Sequence, residues 1–334
     1  MEDVVLGFSG GVDSALSAHL LREQGHRVVC VYLDNGNETA RDYARLAADR
    51  MSFPLTVLDI REEMEEKVCR PFLEAYLSGS TPNPCILCNP AVKFRKLTEE
   101  ADRLGIRAVA TGHYARAENG ALFRGRPVND QSYLLCRILR EQAERLLLPL
   151  GDREKSEVRA MAEERQLPAA KKPDSQEICF IPGNDYRAWL AERGCEARPG
   201  DMLFRGEVIG HHEGFFRYTV GQRIPGFFDG RKLYVSAIDP GSGSLTLALW
   251  EETFFTELFA ERPNWLIDPP TEAFRASVKV RHSKWENPAC TVYPEGDVLR
   301  IVCDEPVRAP APGQSAALYA GERLIGSGIL IKKG

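Results

Sequence analysis

Long hydrophobic runs are what this chain most plainly lacks. Its apolar stretches are strand-sized, well short of the ~20 residues that a membrane-spanning helix needs. It carries no internal repeat and no low-complexity segment. It also lacks a strong excess of one charge: 43 Lys and Arg stand against 48 Asp and Glu, a net charge of -5. Such a balance does not announce a nucleic-acid binder, although a local basic groove counts for more than the total. Met1 leads through charge straight into a strand-like segment, without a signal-like or amphipathic leader. A cytoplasmic location, away from any membrane, is the expectation.

What the chain does have is nine cysteines. In a reducing compartment these are thiols, ligands or catalytic groups more often than structural disulfides. With 334 residues, 43% of them hydrophobic and 27% charged, the chain has a globular composition. It is too long for one ordinary core, so two or three domains are expected.

The first half alternates strand-like and helix-like segments. Val4 to Phe8, Val28 to Leu33, Leu55 to Ile60 and Ala108 to Thr111 read as strands. Ser14 to Glu23, Glu38 to Met51 and Val92 to Leu104 have helical spacing, with Gly25 and Gly105 where C-terminal caps belong. This β-α-β-α order predicts an α/β fold: a parallel sheet with helices on both faces, binding ligands at the carboxyl ends of its strands. From Arg198 onward, short β-type runs alternate with turns such as Asp239-Pro240-Gly241-Ser242-Gly243. The expected domains are residues 1–195 for the catalytic α/β unit, 196–260 for a small mostly-β unit and 261–334 for a C-terminal β-barrel. Glu261-Arg262-Pro263 reads as a junction between the last two.

The sharpest single motif is Ser9-Gly10-Gly11-Val12-Asp13-Ser14, set between the first strand and the first helix. Its glycines let several amide N–H groups converge on an anion, and the helix adds its positive end. Ser9 and Ser14 can donate hydroxyl hydrogen bonds to phosphate. Asp13 suits such a place only if it binds Mg²⁺ or orients a neighbour. No Lys follows the second glycine, so this is not the Walker sequence. The loop resembles that of the ATP pyrophosphatases, the adenine nucleotide alpha hydrolase-like enzymes that cut ATP between its α and β phosphates.

Two cysteine sites follow: Asn83-Pro84-Cys85-Ile86-Leu87-Cys88-Asn89 and Asp174-Ser175-Gln176-Glu177-Ile178-Cys179-Phe180. Cys88 precedes a helix expected from Ala91, with Lys93, Arg95 and Lys96 in its first turns; Cys179 follows a run containing Lys171 and Lys172. A helix N-terminus and nearby cations lower a thiol's pKa, so both are expected to be activated thiolates. Cys85 and Cys88 form a Cys-x-x-Cys pair, which reads as a redox dithiol, half a metal site or coincidence. Together Cys85, Cys88 and Cys179 offer three ligands for an iron–sulfur cluster or most of a zinc site. The remaining reading is a metal-free persulfide relay.

The motifs in order resemble the tRNA-specific 2-thiouridylases (the MnmA family) along nearly the whole chain. The matching blocks are Gly7 to Ser14, Thr81-Pro82-Asn83-Pro84 with Leu87-Cys88-Asn89, Lys93-Phe94, Ala110 to Tyr114, Asp130-Gln131-Ser132-Tyr133 and Asp174-Ser175 with Ile178 to Ile181. Beyond them come Tyr218 to Arg223, Pro263 to Leu266 and Pro312 to Ala316. The resemblance implies ATP-dependent thiolation of a tRNA wobble uridine, with Mg²⁺, and a cysteine desulfurase or sulfur-relay protein as donor to a monomeric enzyme. It implies that Cys88 is the nucleophile and Cys179 the persulfide carrier. It places ATP contacts at Gly7, Phe8, Ser9, Gly10, Gly11, Val12, Asp13, Ser14, Leu33 and Gly112. Target-base contacts fall at Asn83, Pro84 and Cys85, and further tRNA contacts at Asn129, Asp130, Gln131, Arg281 and His282. The chain departs from the family at Cys85, where Asp is usual, and at Gln176-Glu177, where Thr-Gly is usual.

Two other classes of function remain open on sequence. Another ATP-pyrophosphatase-type ligase or amidotransferase would need the loop but neither cysteine site. A tRNA-binding or metal-sensing protein would need no chemistry at all. His113 reads equally as a nucleotide or tRNA contact and as a packed ring. His211-His212 reads as a loop pair lacking further ligands. Arg217, Arg223, Arg231 and Lys232, among Phe215, Phe216 and Tyr218, could steer RNA or simply cover a β-domain. Arg281-His282-Ser283-Lys284 ends a strand and is the stronger RNA candidate.

Overall fold

A computed structural model of the chain describes residues 2–168, 170, 178–196, 198–226, 229–282 and 287–332. Lys171 to Glu177 and the pair Ser283-Lys284, singled out above, lie outside the described residues.

The apolar strand β1 (Asp3–Gly7) enters the glycine turn and α1 (Val12–Glu23) leaves it. Next come β2 (Arg27–Asp34), α2 (Glu38–Met51) and β3 (Leu55–Asp59). Two interrupted helical arms follow. One is α3 (Arg61–Met64), a π-helical turn over Glu65–Cys69, and α4 (Arg70–Leu77). The other is α5 (Pro84–Cys88), a π-helical turn over Asn89–Phe94, and α6 (Arg95–Arg103). Then come β4 (Ala108–Ala110), the hairpin of β5 (Ala115–Glu118) and β6 (Ala121–Arg124), α7 (Arg140–Ala143), β7 (Leu146–Leu147), α8 (Lys155–Glu164) and α9 (Tyr186–Glu192).

Strands β3-β2-β1-β4-β7 form one sheet, parallel throughout. The two-residue period of β1 explains its helices on both faces. Val4 and Leu6 pack with Leu16 and Leu21 of α1 and Ala48 of α2. Val5, on the other face, packs with Leu97 and Ala101 of α6.

The middle unit pairs β8 (Gly200–Phe204), β9 (Glu207–His212), β10 (Tyr234–Asp239) and β11 (Ser244–Ala248) in the order β10-β11-β8-β9. The Asp239–Gly243 turn joins β10 to β11 as expected. Asp239 Oδ1 accepts from the Gly241 N–H at 3.0 Å, and Gly243 has a φ of +73°.

The last unit comprises β12 (Phe254–Trp265), β13 (Phe274–Lys279), β14 (Ala289–Glu295), β15 (Val298–Arg308), β16 (Ser315–Ala320) and β17 (Arg323–Ile331). They run in the order β12-β15-β14-β13-β16-β17, and β12 pairs back onto β17 to close a barrel. Glu261-Arg262-Pro263 is not a junction: β12 runs through it. A register shift lies between Glu261 and Asn264, and Arg262 has a φ of +53°. Such a bulge accommodates a proline that has no N–H for the ladder.

One connection links the ends of the chain. The β5–β6 hairpin leaves the α/β unit and adds to the barrel strand β17, pairing Phe123 with Arg323. Leu122, Tyr133, Tyr319 and Leu324 share the resulting buried cluster. Among the described residues, no helix is long and apolar enough to cross a membrane.

Candidate active site

The glycine loop is shaped by what surrounds it. Gly10 has a φ of +73°, and a Cβ there would lie 2.9 Å from the Ala44 Cα of α2. Only glycine fits such a place. The Gly11 N–H donates to Ser9 Oγ at 3.3 Å, and Ser14 Oγ donates to the Gly11 carbonyl at 3.0 Å. The two serine hydroxyls lie 3.3 Å apart. Gly112, just past β4, abuts the first turn of α1: a Cβ there would lie 3.1 Å from the Asp13 backbone carbon. The side chains of Phe8 and Val12 are core, so these residues can offer a nucleotide only their backbone. Leu33, near the end of β2, is half-buried against the packing around α6 and α3.

Asp13 has partners. Its Oδ1 accepts from the Tyr114 hydroxyl and from Lys155 Nζ, each at 2.6 Å. Of its two sequence-based roles, orienting a neighbour is the one this geometry serves. Two hydroxyls, the amides at a helix start and a lysine ammonium converge, a donor set that suits a polyphosphate. Mg²⁺ ordinarily binds through substrate phosphates, water and one or two carboxylates, so it demands no protein cage here.

The thiols meet nearby. Asn83 caps α5: its Oδ1 accepts from the N–H of Cys85 at 3.1 Å and of Ile86 at 3.4 Å, with Pro84 in the first helical turn. Cys85 is exposed and Cys88 half-buried. The Cys88 thiol lies 3.7 Å from Met64 Sδ. Cys88 and Phe180 pack on one apolar group formed by Ile60, Met64, Val68 and Val92. The Cys179 carbonyl accepts from Asn35 Nδ2 at 3.0 Å, just beyond β2.

Neither thiol is the activated thiolate expected from sequence. Burial pushes Cys88 upward, with Cys85 adding to the rise and the Lys93 charge opposing it. Cys179 is pushed up to about 11, by desolvation first and then by Cys88 and Cys85, again against Lys93. Cys179 has open surface, yet the protein around its sulfur still removes solvation. The physical reason for Cys88 is that its helix starts at Pro84, not Ala91. Cys88 therefore ends α5 and runs on through the π-helical turn, with no free helix N-terminus to favour the anion. The Asn-Pro pair at 83–84 was the available cap signal. At a pKa of about 11, roughly one Cys179 in ten thousand is a thiolate at pH 7. Alkylation of Cys179 in the tRNA-free protein should therefore rise about tenfold per pH unit from pH 7 to 10. Mass-spectrometric rates that level off by pH 8 would contradict this.

Among the described residues, no three His, Cys, Asp or Glu side chains are placed to hold a metal. This arrangement gives no support to the iron–sulfur or zinc site considered from sequence for Cys85, Cys88 and Cys179, and the Cys88 thiol lies against Met64. His211 pairs with Asp201 at 2.9 Å, and the His212 ring bridges the Gly214 N–H and the Gly243 carbonyl, both within a strand end. His113 is packed: Thr111 Oγ1 lies 2.7 Å from its Nδ1 and the Phe94 ring 6.0 Å away. Burial first, then Lys93, hold it well below its usual pKa, so the ring is neutral.

The expected tRNA positions 129–131 and 281–282 come together, although they are far apart in sequence. Buried Asp130 accepts from the Gly125 and Ser132 N–H groups at 3.1 and 2.9 Å and lies 3.3 Å from Lys279 Nζ. The His282 side chain bonds the Asp130 backbone. Asn129 Oδ1 accepts from the Lys155 N–H at 3.2 Å, and Gln131 Oε1 from the Tyr114 N–H at 3.0 Å. Arg281 donates to the Arg308 carbonyl at 2.8 Å and to the Ala309 carbonyl. Asp130 and Arg281 therefore brace loops, while His282 is open to solvent.

Against known proteins, residues 2–183 match the family described as "tRNA methyl transferase HUP domain", 189–248 the "tRNA methyl transferase PRC-barrel domain" and 255–330 the "Aminomethyltransferase beta-barrel domain". A protein of Carboxydothermus hydrogenoformans named "tRNA-specific 2-thiouridylase MnmA" is 40% identical, across 99% of this chain and 98% of its own. Proteins of the same name from Syntrophotalea carbinolica and Clostridioides difficile are 40% and 38% identical, across 97% and 98% of this chain and 97% and 98% of their own. The chain belongs to the tRNA-specific 2-thiouridylase family.

Within that family's architecture, three side chains of this site escaped the sequence reading. Tyr114 and Lys155 hold Asp13. Gln314 donates to the Thr81 carbonyl at 2.6 Å, while the Thr81 N–H donates to the Pro312 carbonyl at 2.7 Å, so the barrel braces the turn that leads to Cys85. Lys93, expected beside Cys88, acts on both thiols and on His113. Two of the three, Tyr114 and Gln314, stood inside recognisable blocks. Lys155 carried no local signal.

Proposed function

We propose that this chain replaces the oxygen at carbon 2 of a tRNA wobble uridine with sulfur, using ATP, Mg²⁺ and a cysteine persulfide. The observation that carries this reading is the shared location of its parts. The glycine loop follows β1, Asn35 follows β2 and holds the Cys179 carbonyl, and Gly112 follows β4. The glycine loop and the Cys179 segment thus lie at the carboxyl edge of one parallel sheet, where ligands of such folds bind, which supports roles for them as phosphate cradle and sulfur carrier.

The chemistry divides between them. Backbone amides, Ser9, Ser14 and Lys155 hold the phosphates of ATP while the uridine oxygen attacks the α phosphate and pyrophosphate leaves. The adenylated oxygen then departs as AMP, a far better leaving group than oxide. Cys179 brings the sulfur as a persulfide, loaded by a cysteine desulfurase directly or through relay proteins. Cys88 attacks the Cys179 sulfur of that persulfide, forming a Cys88–Cys179 disulfide and releasing hydrosulfide. The hydrosulfide adds at carbon 2 of the activated uridine. Lys93, facing both thiols, stabilises the thiolate that attacks.

The test is stoichiometry. AMP and pyrophosphate should appear one for one with 2-thiouridine, and only when unmodified tRNA is present. Nucleoside mass spectrometry separates sulfur-for-oxygen exchange from the addition of a methyl group. ATP cleavage without tRNA, or a methylated product, would overturn the reading. Lys155→Met should lower the rate of AMP formation at least about tenfold by removing one charged contact to phosphate. An unchanged rate in a pyrophosphate-release assay would exclude Lys155 from that role.

A further inference from the structure

The exposed thiol of Cys85 is used by no step above. It sits one helical turn from Cys88 on α5. Cα atoms three residues apart on an α-helix lie about 5 Å apart, within the roughly 4.4–6.8 Å of Cα separation that a disulfide spans. The Asn83 cap fixes the turn that carries Cys85. Cys88 in turn shares its apolar seat with Phe180, the neighbour of Cys179. Cys88, itself half-buried, therefore stands between two exposed thiols, that of the Cys179 segment and that of Cys85. Cys69 faces the same recess but is buried, with its thiol pushed up to about 12 by desolvation, so it is no rival.

We propose that Cys85 is the resolving thiol of this enzyme, freeing Cys179 after each sulfur transfer. The proposal rests on the persulfide reading, which ends with a Cys88–Cys179 disulfide. The Cys85 thiolate attacks the Cys88 sulfur, the Cys88–Cys179 bond breaks, and Cys179 leaves as a thiolate ready for reloading. The electron count is unchanged, since one disulfide replaces another. The new Cys85–Cys88 disulfide lies at the exposed end, where an external dithiol reductant supplies two electrons and restores both thiols. An ordinary surface cysteine, or one that merely touches the target base, would not determine which disulfide accumulates.

The experiment maps disulfides after a single turnover. Persulfide-loaded protein is mixed with ATP and unmodified tRNA without reductant, quenched in acid, alkylated and digested for mass spectrometry. The parent protein should hold mainly the Cys85–Cys88 disulfide. Cys85→Ser should hold the Cys88–Cys179 disulfide instead, at least about tenfold enriched over the parent. A parent that accumulates only the Cys88–Cys179 disulfide would overturn the resolving role and leave the persulfide reading intact. If neither protein forms a disulfide, or if Cys179→Ser still thiolates tRNA, the persulfide reading itself fails and the resolving role with it.

Discussion

Cys179→Ser and Cys88→Ser are each expected to lose tRNA thiolation by at least about a thousandfold while still binding ATP. A serine hydroxyl cannot carry a sulfane sulfur, which removes the Cys179 step outright. It is also far too weak a nucleophile toward a persulfide, which removes the Cys88 step. The two residues act in one sequence, so the double variant should be no worse than either single one. The fold should tolerate both changes: Cys179 is exposed and Cys88 half-buried, and serine is no larger than cysteine. ATP binding should persist because the cradle residues lie on β1, α1 and α8, apart from α5 and the Cys179 segment. Nucleoside mass spectrometry and ATP titration read the two halves separately. The two variants should differ at one point: Cys88→Ser should still accept a persulfide on Cys179. Full thiolation by either variant would remove the relay.

Gly10→Ala should cost ATP affinity at least about tenfold and lower the melting temperature. The left-handed backbone at Gly10 charges a residue with a Cβ roughly 1–2 kcal/mol. The new methyl would also sit 2.9 Å from the Ala44 Cα, which is backbone and cannot swing aside. Either α2 moves away or the loop opens, and both displace the amides from the phosphate. About 1.4 kcal/mol corresponds to the tenfold loss. Gly11→Ala is the matched comparison. Its φ of -69° suits any residue, and its nearest contact would be Ser9 Oγ at an ordinary 3.4 Å. Its melting temperature should stay close to the parent's. Equal thermal shifts in the two variants would show that the steric account of Gly10 is wrong.

How much of this was legible depended on range. The strand β1, the glycine turn and α1 are local, and their residues alternate or recur at the period of each element. The parallel sheet and the β-rich character of the second half followed from the same kind of pattern. What stayed hidden was pairing at a distance. Nothing in Ala121–Arg124 says that it will add to a strand two hundred residues later, because Tyr319 and Leu324 of the barrel, which share its buried cluster, are remote in sequence. Asp13 gave a sign of unusual placement but not the identity of Lys155, 142 residues away. Cys88 differs from expectation for a local reason: Asn83 and Pro84 start its helix, so the thiol stands at the end of α5 and not ahead of a helix beginning at Ala91. The Cys-x-x-Cys spacing was plain in the sequence, but only the fold shows Cys88 facing Met64 and Cys85 facing solvent.

The most direct test follows one sulfur atom. Cys179 is loaded with radiolabelled sulfur by a cysteine desulfurase, excess donor is removed, and the protein is given unmodified tRNA with or without ATP. The label should pass to 2-thiouridine only with ATP, in equal amount to the AMP formed. Label that stays on the protein, reaches tRNA without ATP, or appears in another nucleoside would contradict the account.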